Sequence, residues 1–563
     1  MGDKLGYAIL EIGGIQKYIL ATGKLKEMIG GSQLVEEMSK KFFEDTCKEL
    51  DPSFEIIPGE KPKCPSSYEI LALQRNAGVL HLLFSSVNEA KEFIYHFGKR
   101  MLEKYTGVPL FSGVAQCSWD KDSFRVAREE AGRHLNISRS TNSVPSGLNM
   151  LPICISSPLD GFPAVDYDRT GDGDKKPVSA LSISRSSPSL IERSNNRLKL
   201  LISDLSKGEL DFEDNLEKMI GDSKSDVKNK IAFIHMDGND LGKLFMEHFE
   251  EQDKEKTTLS LEDALVSNYT LSQTVSESSE VAMKAALEAT IKFEQEYIYP
   301  KKANKSKLIV PVRPLVLGGD DVTVIVRADL ALLFINTFIN KFESVSQQKF
   351  KEQGKQGHLT MGVGMVVCNS HYPFVRAFDM SEELLDIAKK KTAHDPDRKS
   401  SMDYVVITNE IENDIDVHHS NVLIAHDGKH LSKKPLILDG NELHDFVEKA
   451  DIVLSKLPRS SIRPAINECR KGEKASQKIW DQILYKLNYG LGGRNNNVRM
   501  TATEFKKVFP SGFFEENEKD NSRYTALGDY IELYHLLPEK QFRKSYIEQL
   551  KGGAENNETS YKD

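Results

Sequence analysis

Residues 313–327 read RPLVLGGDDVTVIVR. Two apolar, β-branched runs are separated only by Gly318-Gly319-Asp320-Asp321, the composition of a tight hairpin between strands. The glycines permit the turn and the close approach of a phosphate to the backbone. Asp320 and Asp321 then project adjacent carboxylates at its tip. Upstream, IAFIHMDGNDLG (231–242) is an apolar strand ending on Asp237, and Gly238 and Asn239 lead to Asp240 and a helix. In an antiparallel sheet the end of that strand lies beside the hairpin tip.

Carboxylate oxygens at such a place suit a hard divalent cation. Mg²⁺ keeps few protein ligands and fills its shell with substrate phosphates. Two such ions activate a 3′-hydroxyl and stabilise a leaving pyrophosphate. The transfer itself asks the protein mainly for positioning and charge. Backbone N–H groups across Gly238, Asn239 and Asp240, opening a helix, suit a triphosphate. Either motif alone reads as well as an ordinary turn or helix start. Both together, each after an apolar strand, point to a site.

Working outward, the hairpin sits in a longer series. IAFIHMD is followed by a helix at about 275–298, the hairpin, a helix over 329–346, the strand HLTMGVGMVVC, a helix over 373–392 and the strand DYVVIT (403–408). The first 117 residues run through the same kinds of element. GYAILEI (6–12) is a strand interrupted by Gly13 and Gly14, with a helix from Ile15 and a second over about 32–48, Ser32 being its N-cap. YEILALQ, VLHLLFSS, a helix near 87–105 and LFSGVAQCSW complete it. Residues 76–103 line up in pattern with 319–344, so the chain reads as a diverged internal repeat. The class is α+β, with helices on one face of each sheet. Residues 125–230 are less regular, and the chain is mainly helical after about 409. The tail from Gly552 lacks apolar content and reads as disordered.

The balance of 75 basic against 84 acidic residues among 563 gives a net charge of −9, which argues against a surface coated for non-specific nucleic-acid binding. The six cysteines form no CxxC, which disfavours a zinc ribbon or a disulfide scaffold. The opening apolar run is too short for a signal peptide, and no stretch is long enough to span a membrane. A reduced, cytoplasmic protein with no membrane partner is the expectation.

The motifs in this order resemble the polymerase/cyclase large subunit of type III CRISPR effector complexes, in a shorter standalone form. The resemblance rests on DGNDLG (237–242), RPLVLGGDD (313–321), GVGMVVCNSHYPFVRAFDMSEELLDIAKK (362–390) and SSMDYVVI (400–407). EIGGIQKYILATGKLKEMIGGSQLV (11–35) and LPRSSIRPAINECRKGE (457–473) extend it across most of the chain. It implies two ferredoxin-like palm domains with helical connecting and C-terminal regions. The spans would be a degenerate first palm over 1–124, a connecting domain over 125–230, a GGDD-bearing second palm over 231–410, a helical domain over 411–550 and the tail over 551–563.

It also implies 3′–5′ polymerisation of ATP to linear or cyclic oligonucleotides that switch on a defence effector. Asp237, Asp320 and Asp321 would be the catalytic acids and the ligands of two Mg²⁺ or Mn²⁺ ions. Gly318 and Gly319 would line the triphosphate, and Lys389 would contact phosphate, although Lys389–Lys391 also reads as an ordinary basic helix end. Gly238, Asn239 and Asp240 complete the nucleotide-binding set. RNA and complex subunits are the partners implied. The sequence departs from the family at Asn239, where a second acid is usual, and at Arg75-Asn76-Ala77-Gly78, where the first palm has no GGDD. The expectation is that it begins directly at the first palm, without the HD nuclease domain that often precedes it in the family. The His-Asp pairs at 394, 426 and 444 read as chance, and His418-His419 as surface.

Two other readings stand beside this one. The palm is a nucleotide or guide-RNA-complex sensor without turnover, or the chain is a diguanylate-cyclase-like homo-oligomer with its site between two copies. Arg313 reaches a phosphate or caps the sheet. Phe334, Phe338 and Tyr372 read as core rather than stacking platforms, and the run at 250–256 as a solvated loop.

Overall fold

The computed structural model describes residues 4–76, 78–105, 107–141, 154–168, 175–203, 210–220, 229–244, 260–298, 308–393, 395, 398–407, 415, 423–489, 500–516 and 521–551. The loop at 250–256, His394, His418-His419, most of the 489–497 loop and the tail from Gly552 lie outside them, as do parts of 166–176 and of 204–229.

Two mixed sheets organise the chain. The first orders its strands Glu55–Pro58, Glu69–Asn76, Val79–Phe84, Leu5–Ile12, Leu110–Cys117. The second orders Val312–Gly318, Asp321–Arg327, Lys230–Gly238, Met361–Asn369, Ser401–Val406, Leu436–Ile437. In each, a hairpin lies against the opening strand, and the strand that follows the next helix lies on its other side.

The repeat extends to irregularities. The hairpin arm Glu69–Asn76 slips register between Ala72 and Gln74, and Val312–Gly318 slips between Pro314 and Val316. Both bulges fall three residues before the arm ends. Gly113 opposes Ile9 and Gly364 opposes His235. A Cβ on Gly113 would meet the Ala131 carbonyl oxygen at 2.0 Å, and one on Gly364 the Ser381 oxygen at 1.9 Å. Each sheet is thus crossed at its glycine by a following helix, Lys121–Thr141 in one and Phe374–Thr392 in the other.

Four local expectations are corrected. The expected helix over 32–48 is two helices, Leu25–Ser39 and Lys41–Leu50, and Ser32 is internal to the first rather than its N-cap. The expected helix at 275–298 begins at Leu261, capped by Ser260, whose hydroxyl accepts from the Asp263 N–H, and runs to Phe293. Residues 121–141, read as irregular after 125, are one long helix. Helices cover both faces of the first sheet. Leu5, Tyr7 and Ile9 pack with Phe124, Ala131 and Leu135, while Ala8 and Leu10 pack with Met28, Phe93 and Phe97. The sequence pattern hid this because a strand buried on both faces loses its polar alternation.

One apolar cluster holds Ala8, Leu10 and Ile19 together with Phe233, Ile325, Val366 and Phe378 of the second sheet and its helix. The opposite face of the second sheet, with Ile234, Met236 and Val324, belongs to a cluster with Phe334 and Phe338 and the C-terminal helices. Both phenylalanines are fully buried, as core. Among the described residues no helix is long and apolar enough to cross a membrane.

Candidate active site

The GGDD turn is tighter than its four letters suggest. The strands run through Gly318 and resume at Asp321, which face each other across the ladder, so only Gly319 and Asp320 form the turn. Gly319 has φ +75°, the left-handed conformation a two-residue hairpin demands at its first position. The far end of the second strand is held by Arg327. Its guanidinium donates to both oxygens of Glu294, at 2.8 and 2.6 Å, and to Asp329 at 2.7 Å, all buried. Such forked, charge-assisted bonds fix the hairpin's base on the Leu261–Phe293 helix.

The neighbouring strand delivers Asp237. Met236 pairs with Val322 and Asp237 with Gly362, so Asp237 stands one residue before the strand's end, just past the last pair with the hairpin strand. Gly238 makes the approach of the hairpin possible, since a Cβ there would lie 2.4 Å from Leu241 Cδ1 and 3.0 Å from Asp320 Cβ. Asp320 is mostly buried, and its carboxyl is pushed up to about 7, first by burial, then by Asp237 and Asp321; the Lys389 charge pulls the other way. The sequence's three acids are therefore brought together electrostatically.

Asp237 and Asp321 already have partners. The Lys389 ammonium donates to Asp237 Oδ2 and, at 2.9 Å, to the Gly238 carbonyl. Asp321 is held on both oxygens. His235 Nε2 lies 3.2 Å from Oδ1, and the Gln16 amide donates to Oδ2 at 2.6 Å. Among the described residues no group of three or more His, Cys, Asp or Glu side chains is arranged to hold a metal ion. The donor chemistry nevertheless fits a hard divalent cation, because these are crowded carboxylate oxygens that raise the Asp320 carboxyl and draw an ammonium onto Asp237.

The rest of the expected nucleotide set divides. Asn239 turns into the protein, where its N–H donates to the Thr360 carbonyl at 2.8 Å and its side-chain amide to Thr360 Oγ1 at 3.0 Å. That N–H is not open to a phosphate, which removes one donor from the expected cradle. Asp240 adopts φ +54° and its carboxylate pairs with Arg398, a residue the sequence reading passed over. Gly318 and Gly319 line a cleft of about 1370 Å³ together with Arg75, Arg193, Arg197 and Tyr269, and none of the three aspartates is in its lining. Its arginines are paired, Arg75 with Glu44, Arg193 with Glu37 and Arg197 with Glu36.

Arg313 is buried behind the sheet, donating to Asn195 at 2.6 Å and Ser194 at 3.1 Å, and burial lowers its pKa to about 9. It does not face the hairpin tip. Tyr372 is half-buried, its hydroxyl 3.6 Å from Met380 Sδ. His235 was legible in principle, being two residues before Asp237 and so on the same strand face. Gln16 had no local signal.

The first sheet carries a counterpart of part of this site. Ile9 and His235 both oppose the crossing glycine, so Glu11 stands where Asp237 stands. Arg139, eight residues past Ala131 as Lys389 is eight past Ser381, pairs with Glu11. An acid–base pair is thus common to both sheets, whereas the carboxylates of the hairpin belong to the second alone. There Val79 and Gly78 take the places of Asp321 and Asp320.

Comparison with known proteins adds a family for the second unit. Residues 230–396 match the family model described as Cas10/Cmr2, second palm domain. No curated protein matches the sequence. Solved structures similar to the chain include the Csm1-Csm4 subcomplex of the type III-A CRISPR-Csm interference complex, at 12% identity and TM-score 0.49, covering 94% of this chain and 70% of that one. A Csm1-Csm4 cassette with pppApA gives 12% and 0.49, covering 90% and 69%. The cassette with cA4 gives 12% and 0.44, covering 80% of this chain, which spans 58% of the length of that one.

Proposed function

We propose that the chain is a Cas10-type large subunit whose second palm is a metal-dependent nucleotidyltransferase. Its substrates are nucleoside triphosphates, ATP foremost, and its products linear or cyclic oligonucleotides serving as second messengers in antiviral defence. The observation that carries this reading is the convergence of Asp237 with Asp320 and Asp321 inside a segment that matches a Cas10/Cmr2 second palm.

Asp237, Asp320 and Asp321 would hold the cations, which supply the positive charge that lowers the pKa of a 3′-hydroxyl and steadies departing pyrophosphate. In the reaction the 3′-oxygen of one nucleotide bonds to the α-phosphorus of another and the bond to the β-phosphate oxygen breaks. Burial and the neighbouring Asp237 and Asp321 raise the Asp320 carboxyl, and cations held there would favour its charged form. Lys389 leaves Asp237 Oδ2 and is then within the same small site to meet a phosphate oxygen. The turn at Gly319 leaves its backbone open, with the nearest foreign atom to a built Cβ at 4.0 Å, so a phosphate can approach.

The Asp320→Ala/Asp321→Ala double variant tests this. It should release no pyrophosphate from any triphosphate while keeping its melting temperature within a few degrees of wild type. Wild-type turnover by that variant would end the proposal.

A second reading keeps the fold and drops the turnover. The engagement of Asp237 by Lys389 and of Asp321 by Gln16 and His235, with Asn239 turned inward, favours a nucleotide sensor within an RNA-guided complex. A sensor makes no pyrophosphate with Mg²⁺ or Mn²⁺, with or without RNA.

A further inference from the structure

The hydrogen bond from Gln16 to Asp321 joins residues 305 apart in sequence and crosses from the first unit to the second. Gln16 lies in the short helix Ile15–Leu20, which starts from Gly14 in the left-handed conformation, φ +58°. Ile19 and Leu20 of that helix are buried in the apolar cluster that also holds Phe374, Ala377 and Phe378. The helix is therefore seated against the crossing helix of the second sheet, and its position relative to the GGDD hairpin is set by packing.

We infer that Gln16 is a positioning residue through which the first palm controls the catalytic carboxylate Asp321. This rests on the reading above. An ionised carboxylate has about four lone-pair directions and is free to rotate about its last bond. With His235 on Oδ1 and the Gln16 amide on Oδ2, rotation is arrested from both sides, and each oxygen retains a second direction for a cation. One anchor comes from the neighbouring strand of the same sheet and moves with the hairpin. The other comes from a different unit, so any shift of the Ile15–Leu20 helix changes how Asp321 is held.

The asymmetry between the two units supports a specific role. By count from the equivalent acids Glu11 and Asp237, Gln16 corresponds to Gly242, which has no side chain to offer in return. The unit without hairpin carboxylates thus provides the donor, and the unit with carboxylates receives it. Gln16 touches no reacting atom in this account and acts only through Asp321.

Gln16→Met removes both the donor and the acceptor while keeping chain length and helix propensity. Wild type and variant would be titrated with Mn²⁺ by electron paramagnetic resonance in the presence of a non-hydrolysable ATP analogue, and then assayed for kcat and KM. The variant should melt with wild type yet bind Mn²⁺ roughly tenfold more weakly, the scale of one hydrogen bond to a charged group. Its kcat should fall at limiting metal and recover as Mn²⁺ is raised, with KM for the nucleotide little changed. Equal Mn²⁺ affinity and equal kcat in variant and wild type overturn the inference while leaving the functional reading intact. Absence of Mn²⁺ binding by wild type overturns both.

Discussion

Lys389 crosses the face of the second sheet at Gly362, where a Cβ would lie 2.6 Å from its Cγ. The glycine is what lets an amine on a helix reach the end of the central strand. Its charge is one of the few influences that lower the proton affinity of Asp320. Replacing Lys389 with Met should therefore leave Asp237 without its cation and sharpen the demand for another. In titration calorimetry the nucleotide-free variant should bind Mn²⁺ several-fold more tightly than wild type, while its KM for triphosphate rises. Unchanged Mn²⁺ affinity would show that the ammonium and the metal do not compete. The residue scale is also where the sequence was least complete. The three aspartates were legible because they sit in short motifs beside apolar strands, whereas Lys389, on the helix Phe374–Thr392, was singled out only by the family resemblance. Gln16 and Arg398 were not, because their partners are remote in sequence and no spacing rule connects them.

Elements were legible where polarity alternates or where glycine and proline punctuate, and the hairpin, the opening strands and the helices at 87–104 and 374–392 followed. They were misread where polar residues turn back onto the helix, as in the missed start of Leu261–Phe293, where the Asn268, Thr270 and Thr274 side chains donate to carbonyls four residues earlier rather than marking a loop. The crossing glycines are an element-scale device. At Gly364 a side chain would collide with the Ser381 oxygen and the Leu385 nitrogen, both backbone atoms that cannot step aside alone. Gly364→Ala should lower unfolding stability by about 1–3 kcal/mol, the range for overpacking, as read from chemical denaturation. Gly242→Ala, with nothing within 4 Å of its Cβ, should be near neutral and serves as the control. Equal stability of the two variants would contradict the packing described.

At the scale of the whole molecule, the C-terminal helices are locked to the second sheet through a buried polar cluster. Lys434 donates to the Tyr404 carbonyl and to Glu532, at 2.8 and 2.9 Å, while Asp529 accepts from Ser432 and from the Lys433 N–H, each at 2.7 Å. Asp403 and Asp529 are fully buried and both are pushed up to about 7, by burial first, with Lys434 pulling them down. Acids raised in the folded state bind more protons there than in the unfolded chain between about pH 4 and pH 7. Their contribution to stability is therefore full below pH 4, falls as the pH climbs to about 7 and is flat beyond. Asp403→Asn should remove its share of that slope, so the variant's melting temperature should gain on wild type from pH 5 to pH 8. Parallel melting curves across that range would show that Asp403 is ionised at no cost in the native protein.

The account as a whole depends on Asp237, Asp320 and Asp321 sharing cations once a nucleotide is present. Anomalous diffraction from crystals grown with Mn²⁺ and a non-hydrolysable ATP analogue tests this most directly. The expected result is manganese density bridging these three carboxylates, with Lys389 moved off Asp237 onto a phosphate. Density elsewhere, or an intact Lys389–Asp237 pair with nucleotide bound, would contradict it.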